Sequence, residues 1–278
     1  MCCNFSIPVQ TLEPRRGFIA ALDRKPVPMH RPERDFKTYD YYIGDKQRNL
    51  ISKLSFKISG KTVDVESTTN DSLIVIGQTK YYVCPMCGYS SDEKITEHQN
   101  YNGFDCEYTS ENDKINGSKV YKLSHDFKTD VAKITFYDNR ISGRSKITDN
   151  KSTMLSVLYA ILEGSSQELE IERTDIKGCL FRNNTDMGYL YSIILYDAVA
   201  SGAGNVRRIV TEDGQNFQRV LKRALSIVKN CDCGLSCYNC LRNYYNQKIH
   251  DKLSHKEAEM FIEEWIGSME LIDNTKEK

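Results

Sequence analysis

The sequence predicts an α/β chain of the α+β kind, a mixed β-sheet flanked by helices and carrying two zinc-binding modules. Three observations predict it. Apolar residues alternate with polar ones at period two in several stretches between Leu50 and Phe136, the mark of strands with one buried face. Apolar faces of helical period come later, over residues 152–168, 216–230 and 254–266. Most of the ten cysteines fall into two clusters with metal-ligand spacing.

At 278 residues with 40% hydrophobic content, the chain can bury a real core as one large domain or two small ones. A formal net charge of zero removes any whole-molecule argument for nucleic acid. The distribution is uneven, however: residues 205–256 hold ten Lys plus Arg against four Asp plus Glu. A zinc tetrathiolate would lower that excess to about +4. The N-terminal Met-Cys-Cys-Asn-Phe lacks the basic and apolar regions of a signal peptide, and no apolar run approaches the ~18 residues of a membrane span. A soluble, cytoplasmic protein with no membrane partner is expected.

Residues 1–48 contain five of the six prolines and predict an extended N-terminal arm, because proline at that density interrupts helices. Residues 49–122 predict a β-rich zinc-knuckle module. Leu54, Phe56 and Ile58 alternate with polar residues, followed by Val63, Val65 and the run Leu73 to Ile76. Gly60-Lys61-Thr62 invites a phosphate-loop reading, but a Walker A loop needs glycine where Ser55 stands. A hairpin turn at Ser59-Gly60 accounts for the residues better. Cys84-Pro85-Met86-Cys87-Gly88 is a zinc knuckle in form, and with His98 and Cys106 it gives C-x2-C-x10-H-x7-C. Residues 107–119 read as an exposed insertion.

Residues 123–272 predict an α/β domain. His125, Lys128 and Asp130 precede a strand in which Ala132, Ile134 and Phe136 alternate with Lys133 and Thr135. These three side chains would suit phosphodiester chemistry, but their spacing departs from the phospholipase-D-type H-x-K-x4-D. A structural role for Thr129 or Asp130 is favoured over catalysis. A helix over 152–168 leads to two strands, Ile171 to Phe181 and Tyr189 to Val199, parted by a turn at Asn183 to Asp186. Cys179 faces a core on this reading. Gly202 and Gly204 then let a helix begin close to the strand end. Its free amides could hold a phosphate, or the small residues could serve close packing. Arg207 and Arg208 follow, and the next helix turns Arg219, Lys222, Arg223 and Lys229 outward. Such a face is most often merely solvated. Ser254 to Glu257 reads as a capping box opening a last helix, and 273–278 as a disordered tail.

The most specific signal is C-x-C-x3-C-x2-C at Cys231, Cys233, Cys237 and Cys240. Four thiolates so close satisfy the tetrahedral preference of Zn²⁺, and a full set leaves no open position, so the role is structural. A disulfide between thiols one residue apart would be strained. The cysteines run on as Cys-Tyr-x-Cys-Leu-Arg-x-Tyr-x-Asn-Gln over 237–247, then His250 and Leu253.

This order resembles the zinc-binding domain at the C-terminal end of MrfA-type superfamily 2 helicases, a related domain of which occurs in the DrmB subunit of DISARM phage-defence systems. Pro14-Arg15-Arg16-Gly17-Phe18 is similar to the segment leading into that domain, and the knuckle series and His125 followed by Thr129-Asp130 have counterparts in the family. Tyr196-Asp197 through Gly204 resembles its Tyr-Asp-x-x-(Pro)-Gly-Gly-x-Gly loop, with Ala200-Ser201 where Pro-Gly is common. No ATP-binding loop is present, so motor activity would come from a partner.

The resemblance implies a non-catalytic accessory subunit or domain that docks on a superfamily 2 helicase or translocase and helps engage DNA, in phage defence or DNA repair. Two zinc ions per chain are expected. Nucleic-acid contacts are expected from Gly202, Gly204, Arg207, Arg208, Arg219, Lys222, Arg223, Arg242 and Lys248. The alternatives are a phosphodiesterase using His125, Lys128 and Asp130, and a scaffold without nucleic-acid contact.

Overall fold

The structure is a computed structural model, and it describes residues 11–12, 38–44, 47–58, 60–107, 120–138, 150–185, 188–211, 213–266 and 269–272. Most of the expected arm, including Pro14 to Phe18, nearly all of the 107–119 insertion and the 273–278 tail lie outside the described residues.

The elements in order are β1 (Thr11–Leu12), β2 (Thr38–Tyr42), β3 (Asn49–Ile58), β4 (Lys61–Val83), β5 (Ser90–Ser91), β6 (His98–Gln99), β7 (Asp105–Cys106) and β8 (Val120–Asp138). They continue with α1 (Lys151–Leu169), β9 (Ile176–Thr185), β10 (Gly188–Asp197), a 3₁₀ turn (Val206–Ile209), α2 (Gln215–Lys229), a 3₁₀ segment (Tyr244–Lys252), α3 (His255–Ile266) and β11 (Glu270–Leu271). The fold is mixed α+β, as the pattern predicts. No helix among the described residues is long and apolar enough to cross a membrane.

Two compact units divide the chain, one formed by residues 1–40 and 74–126, the other by 41–73 and 127–278. The boundaries fall inside β2, β4 and β8. Residues 41–73 therefore belong with the helices, not with the knuckle that follows them in sequence. The runs expected as separate strands at Val63, Val65 and Leu73 to Ile76 are parts of one 23-residue strand. His125 to Asp130, expected to precede a strand, lie within β8.

In the larger unit the strand order is β11-β3-β4-β8-β10-β9. β3 and β4 form the expected hairpin, with Ile58 opposite Lys61 and Gly60 in the turn at φ +83°. β9 and β10 pair from Asp197 opposite Ile176 to Gly188 opposite Thr185. Asn183 and Asn184, expected in a turn, thus stay in the ladder. β9 begins at Ile176 because α1 ends on Glu170 in a left-handed conformation and the chain turns once more at Glu172–Asp175.

Both faces of this sheet are covered. Phe56, Ala132, Ile134, Phe136, Ile193 and Leu195 pack toward α1, α2 and α3, while Val131, Ile194 and Tyr196 point to the opposite face with Tyr42 and Leu73. Cys179 packs against that second cluster, as expected. At the far end Lys61, 3% exposed, pairs with Glu264 and lies 4.8 Å over the Trp265 ring, which itself meets Phe136 edge-on at 5.1 Å. A buried ammonium ion so placed is tolerable only because it is paired and capped by an aromatic face.

Gly164 sets how closely α1 and α2 approach. A Cβ there would lie 2.8 Å from both the Val220 carbonyl and the Ala224 amide. Gly164→Ala should therefore destabilise the unit by about 1–3 kcal/mol through overpacking, read as a lower urea midpoint. An unchanged midpoint would mean that the two helices can part freely.

Candidate metal centres

The first centre grows from the end of α2. The chain leaves the helix at Asn230, passes Cys231 and Cys233, and turns tightly at Cys237 to Cys240. There the amides of Cys240, Leu241 and Arg242 all donate to the Cys237 carbonyl at 2.9–3.2 Å. This turn aims the Cys237 amide at the Cys240 sulfur, 3.1 Å away. The Sγ–Sγ separations are 3.5 Å for Cys231–Cys237, 3.8 Å for Cys233–Cys240 and 3.7 Å for Cys237–Cys240. All four sulfurs lie within 4.8 Å of one another. Tetrahedral zinc with Zn–S near 2.3 Å places its sulfurs about 3.8 Å apart, whereas a disulfide closes to about 2.05 Å. The separations fit the metal.

One residue fastens this loop to the helices. His255, 2% exposed at the start of α3, places Nδ1 3.1 Å from the Val228 carbonyl and Nε2 2.9 Å from the Cys233 carbonyl. Its own amide donates to the Leu235 carbonyl at 2.8 Å. The ring thereby joins the last turn of α2 to the backbone of a ligand cysteine. In sequence His255 shows only as part of a capping box. Ser254 does accept the Glu257 amide at 3.3 Å, but the Glu257 carboxylate accepts from Thr153 of α1 instead of closing the box.

The second centre lies in the smaller unit. Cys84 and Cys87 form the knuckle, with the Cys87 amide 3.4 Å from the Cys84 sulfur and Gly88 at φ +79°. His98 and Cys106 face each other across the β6–β7 hairpin. The Cys84 and Cys106 sulfurs are 3.8 Å apart, and the Cys87 sulfur is 3.2 Å from His98 Nε2. His98 Nδ1 lies 3.2 Å from the Thr96 carbonyl, so a proton on Nδ1 leaves Nε2 as the metal-facing nitrogen. Tyr89 stacks on the imidazole at 4.7 Å. These four residues form a three-sulfur, one-nitrogen set that suits zinc.

The glycine loop after β10 has a different logic from the one its glycines suggest. The Asp197 carboxylate, fully buried, accepts the amides of Ala203, Asn205 and Val206 at 2.6, 3.1 and 2.9 Å. Those amides are occupied and hold no phosphate. Gly202 and Gly204 serve the loop's shape, with φ of +76° and +83°, and a Cβ on Gly202 would strike the Asp130 carboxylate. Asp130, 2% exposed, faces Arg207 Nε at 3.0 Å. Burial pushes its carboxyl up, against the pull of that guanidinium. Thr129 donates to the Asp197 and Val199 carbonyls, so Thr129 and Asp130 together brace the loop. His125 and Lys128 are exposed and fall in different units.

The cations are also engaged. Arg208 donates to the Leu169 carbonyl, Arg219 and Arg223 pair with Glu168 at 3.2 and 3.7 Å, and Arg242 donates to Ser236. Lys222 and Lys248 are exposed. A cleft of about 500 Å³ beside the first centre is lined by Gln167, Arg223, Ser226 and Asn230 together with Cys231, Cys233 and Cys237.

The geometry defines a zinc-binding module, its four-cysteine loop clamped to the end of a helix. Residues 157–241 match the family model of the MrfA Zn-binding domain, a span that closes on Leu241 just past the fourth cysteine. Among curated proteins, Druantia protein DruE of Escherichia coli (strain UMEA 4076-1) is 26% identical over 149 residues, which cover 48% of this chain and 8% of that protein. The matched segment is thus less than a tenth of the relative's length. Among solved structures, the crystal structure of DUF1998 helicase MrfA bound to DNA is similar over 83% of this chain and 26% of that one, with a TM-score of 0.44 and 13% identity.

Thiols bind metal as thiolates, so protons compete with zinc. Burial pushes the metal-free Cys87 and Cys233 thiols up to about 11, while the amides of Cys87 and Met86 bring Cys84 down to about 7 against its burial. Zinc loading should therefore release protons at neutral pH, strengthen as pH rises and fail as pH drops. Acidification with a chromophoric chelator present checks this, and pH-independent zinc retention would remove the thiolates as ligands.

Proposed function

We propose that the chain is a non-catalytic zinc-binding accessory subunit or domain that docks on a superfamily 2 DNA helicase or translocase and contributes to DNA engagement. The observation that carries this is the match of residues 157–241 to the MrfA Zn-binding domain, a span holding the whole four-cysteine loop. Two zinc ions per chain complete it, one on Cys231, Cys233, Cys237 and Cys240, the other on Cys84, Cys87, His98 and Cys106. The setting is prokaryotic phage defence or DNA repair, in the cytoplasm, and the likeness to Druantia protein DruE supports the defence side of it.

DNA contact falls to the outward face of α2, through Arg219, Lys222 and Arg223, and to Arg242 and Lys248 beyond the zinc loop. Glu168 orients two of the arginines without cancelling three cations. Arg207 and Arg208 act mainly within the fold, on Asp130 and Leu169. The phosphodiesterase alternative gains nothing from the geometry, because its carboxylate is buried against Arg207.

Metal analysis of the folded chain should return two zinc per chain, and Cys237→Ser should lose one of them with much of the stability of its unit. Fewer than one zinc per chain would remove the foundation of the proposal.

Replacing Arg219, Lys222 and Arg223 together with Ala should weaken duplex binding at low salt and leave zinc unchanged. The salt dependence should become shallower by about 0.9 for each phosphate that is no longer neutralised. Unaltered affinity and slope would favour a scaffold without nucleic-acid contact. The wild-type chain should not cleave plasmid, and cleavage abolished by His125→Ala would replace the proposal with an enzyme.

A further inference from the structure

Three exposed aromatic side chains stand in and just beyond the four-cysteine loop of the first centre. Tyr238, Tyr244 and Tyr245 expose 65%, 49% and 63% of their surfaces. Local structure sets all three. Tyr238 stands in the Cys237–Cys240 turn and meets His250 edge to face, with ring centroids 5.6 Å apart. His250 Nε2 in turn lies 2.7 Å from Asn246 Oδ1 and 3.2 Å from the Asn243 carbonyl.

Asn243 caps the 3₁₀ segment that opens with Tyr244 and Tyr245, accepting the amides of Tyr245 and Asn246 at 2.8 and 3.0 Å. Asn246, 3% exposed, ties back by donating to the Leu241 carbonyl. One histidine thus separates Tyr238 from the residue before Tyr244. The rings share one end of the loop and are pre-positioned, which lowers the entropy cost of using them.

Cations belong to the same stretch of chain: Arg242, whose Nε donates to Ser236 at 2.9 Å, and the exposed Lys248 and Lys252, with Asp251 among them. A zinc tetrathiolate close by would carry a charge of −2, so charge alone gives only modest attraction and flat rings must supply much of any affinity. Lysine is depleted at protein–protein interfaces, whereas tyrosine interleaved with lysine and arginine suits a strand of unpaired bases on a phosphate backbone.

Resting on the DNA-engagement proposal above, the geometry points to Tyr238, Tyr244 and Tyr245 as a stacking platform for the bases of single-stranded nucleic acid, with Arg242, Lys248 and Lys252 along its phosphates. A duplex keeps its base faces stacked on each other and cannot use such rings. An unpaired strand can, and every base has a face to offer, so the platform is tolerant of sequence.

The test uses the full zinc-loaded chain, a labelled oligothymidine of about 20 nucleotides, an abasic strand of the same length and a duplex, all at low salt. Oligothymidine should bind about tenfold or more tightly than the abasic strand, since stacking contributes on the order of 1–3 kcal/mol per base. Tyr238→Ala, Tyr244→Ala and Tyr245→Ala combined should bring oligothymidine down to the abasic level while duplex affinity and zinc content stay unchanged. The three Tyr→Phe changes should retain binding, because the ring face is kept.

Equal affinity of wild type and triple Ala variant for oligothymidine would overturn the platform. If the α2 variant described above still lost duplex binding, the DNA-engagement proposal would survive that result. Absence of binding to every probe would sink both. Retained oligothymidine affinity in a triple Ala variant that no longer associates with a helicase would reassign the tyrosines to protein docking, and so would also overturn the platform.

Discussion

Four sulfur atoms held at tetrahedral spacing, within a turn of the end of α2, are the constraint on which the C-terminal half of the larger unit depends. The chain between Lys229 and His255 contains no α-helix and no strand, and few of its residues are fully buried. Its course is set by amides aimed at sulfur, by the Cys237 carbonyl that collects three of them, and by His255. This short irregular segment sends only a few side chains, Leu241 and Leu253 among them, into the core, and its four clustered thiols are a set that a metal could hold together. What it delivers is α3, whose Phe261 and Trp265 close over Phe136 and the hairpin at Lys61.

The two clusters of candidate metal ligands were legible because residue type and spacing are written in the chain itself. The period-two strands and three helices were legible for the same reason, since alternation and helical faces are local properties. What was not legible depended on distant partners. β4 continues past Thr68, Thr69 and a left-handed Asn70 at φ +57° despite their polar composition, and β8 takes in His125 to Asp130 in the same way. The grouping of residues 41–73 with the helices follows from Phe56 packing against Phe217, a contact across more than half the chain. His255 was visible only as a capping residue, because nothing local tells that its two ring nitrogens find carbonyls on either side of the zinc loop.

Counting charges in sequence also overstated how many are available. Residues 205–256 hold an excess of six cations. Yet Arg207 faces Asp130, Arg219 and Arg223 share Glu168, and Lys229 pairs with Glu263. The pairs at the surface orient side chains more than they stabilise the fold, whereas Arg207 faces a buried carboxylate. Lys222 and Lys248 are exposed on α2 and on the 3₁₀ segment beyond the zinc loop.

The loop after β10 carries its own anion. Loops of this outline usually wait for a phosphate, and their shape then depends on whether one is present. Here the Asp197 carboxylate, covalently part of the chain and at fixed concentration, satisfies three amides at all times. The bend that starts the path toward α2, and so toward the zinc loop, is therefore held by the chain's own carboxylate. The geometry of the loop is thus fixed by a residue that cannot dissociate from it.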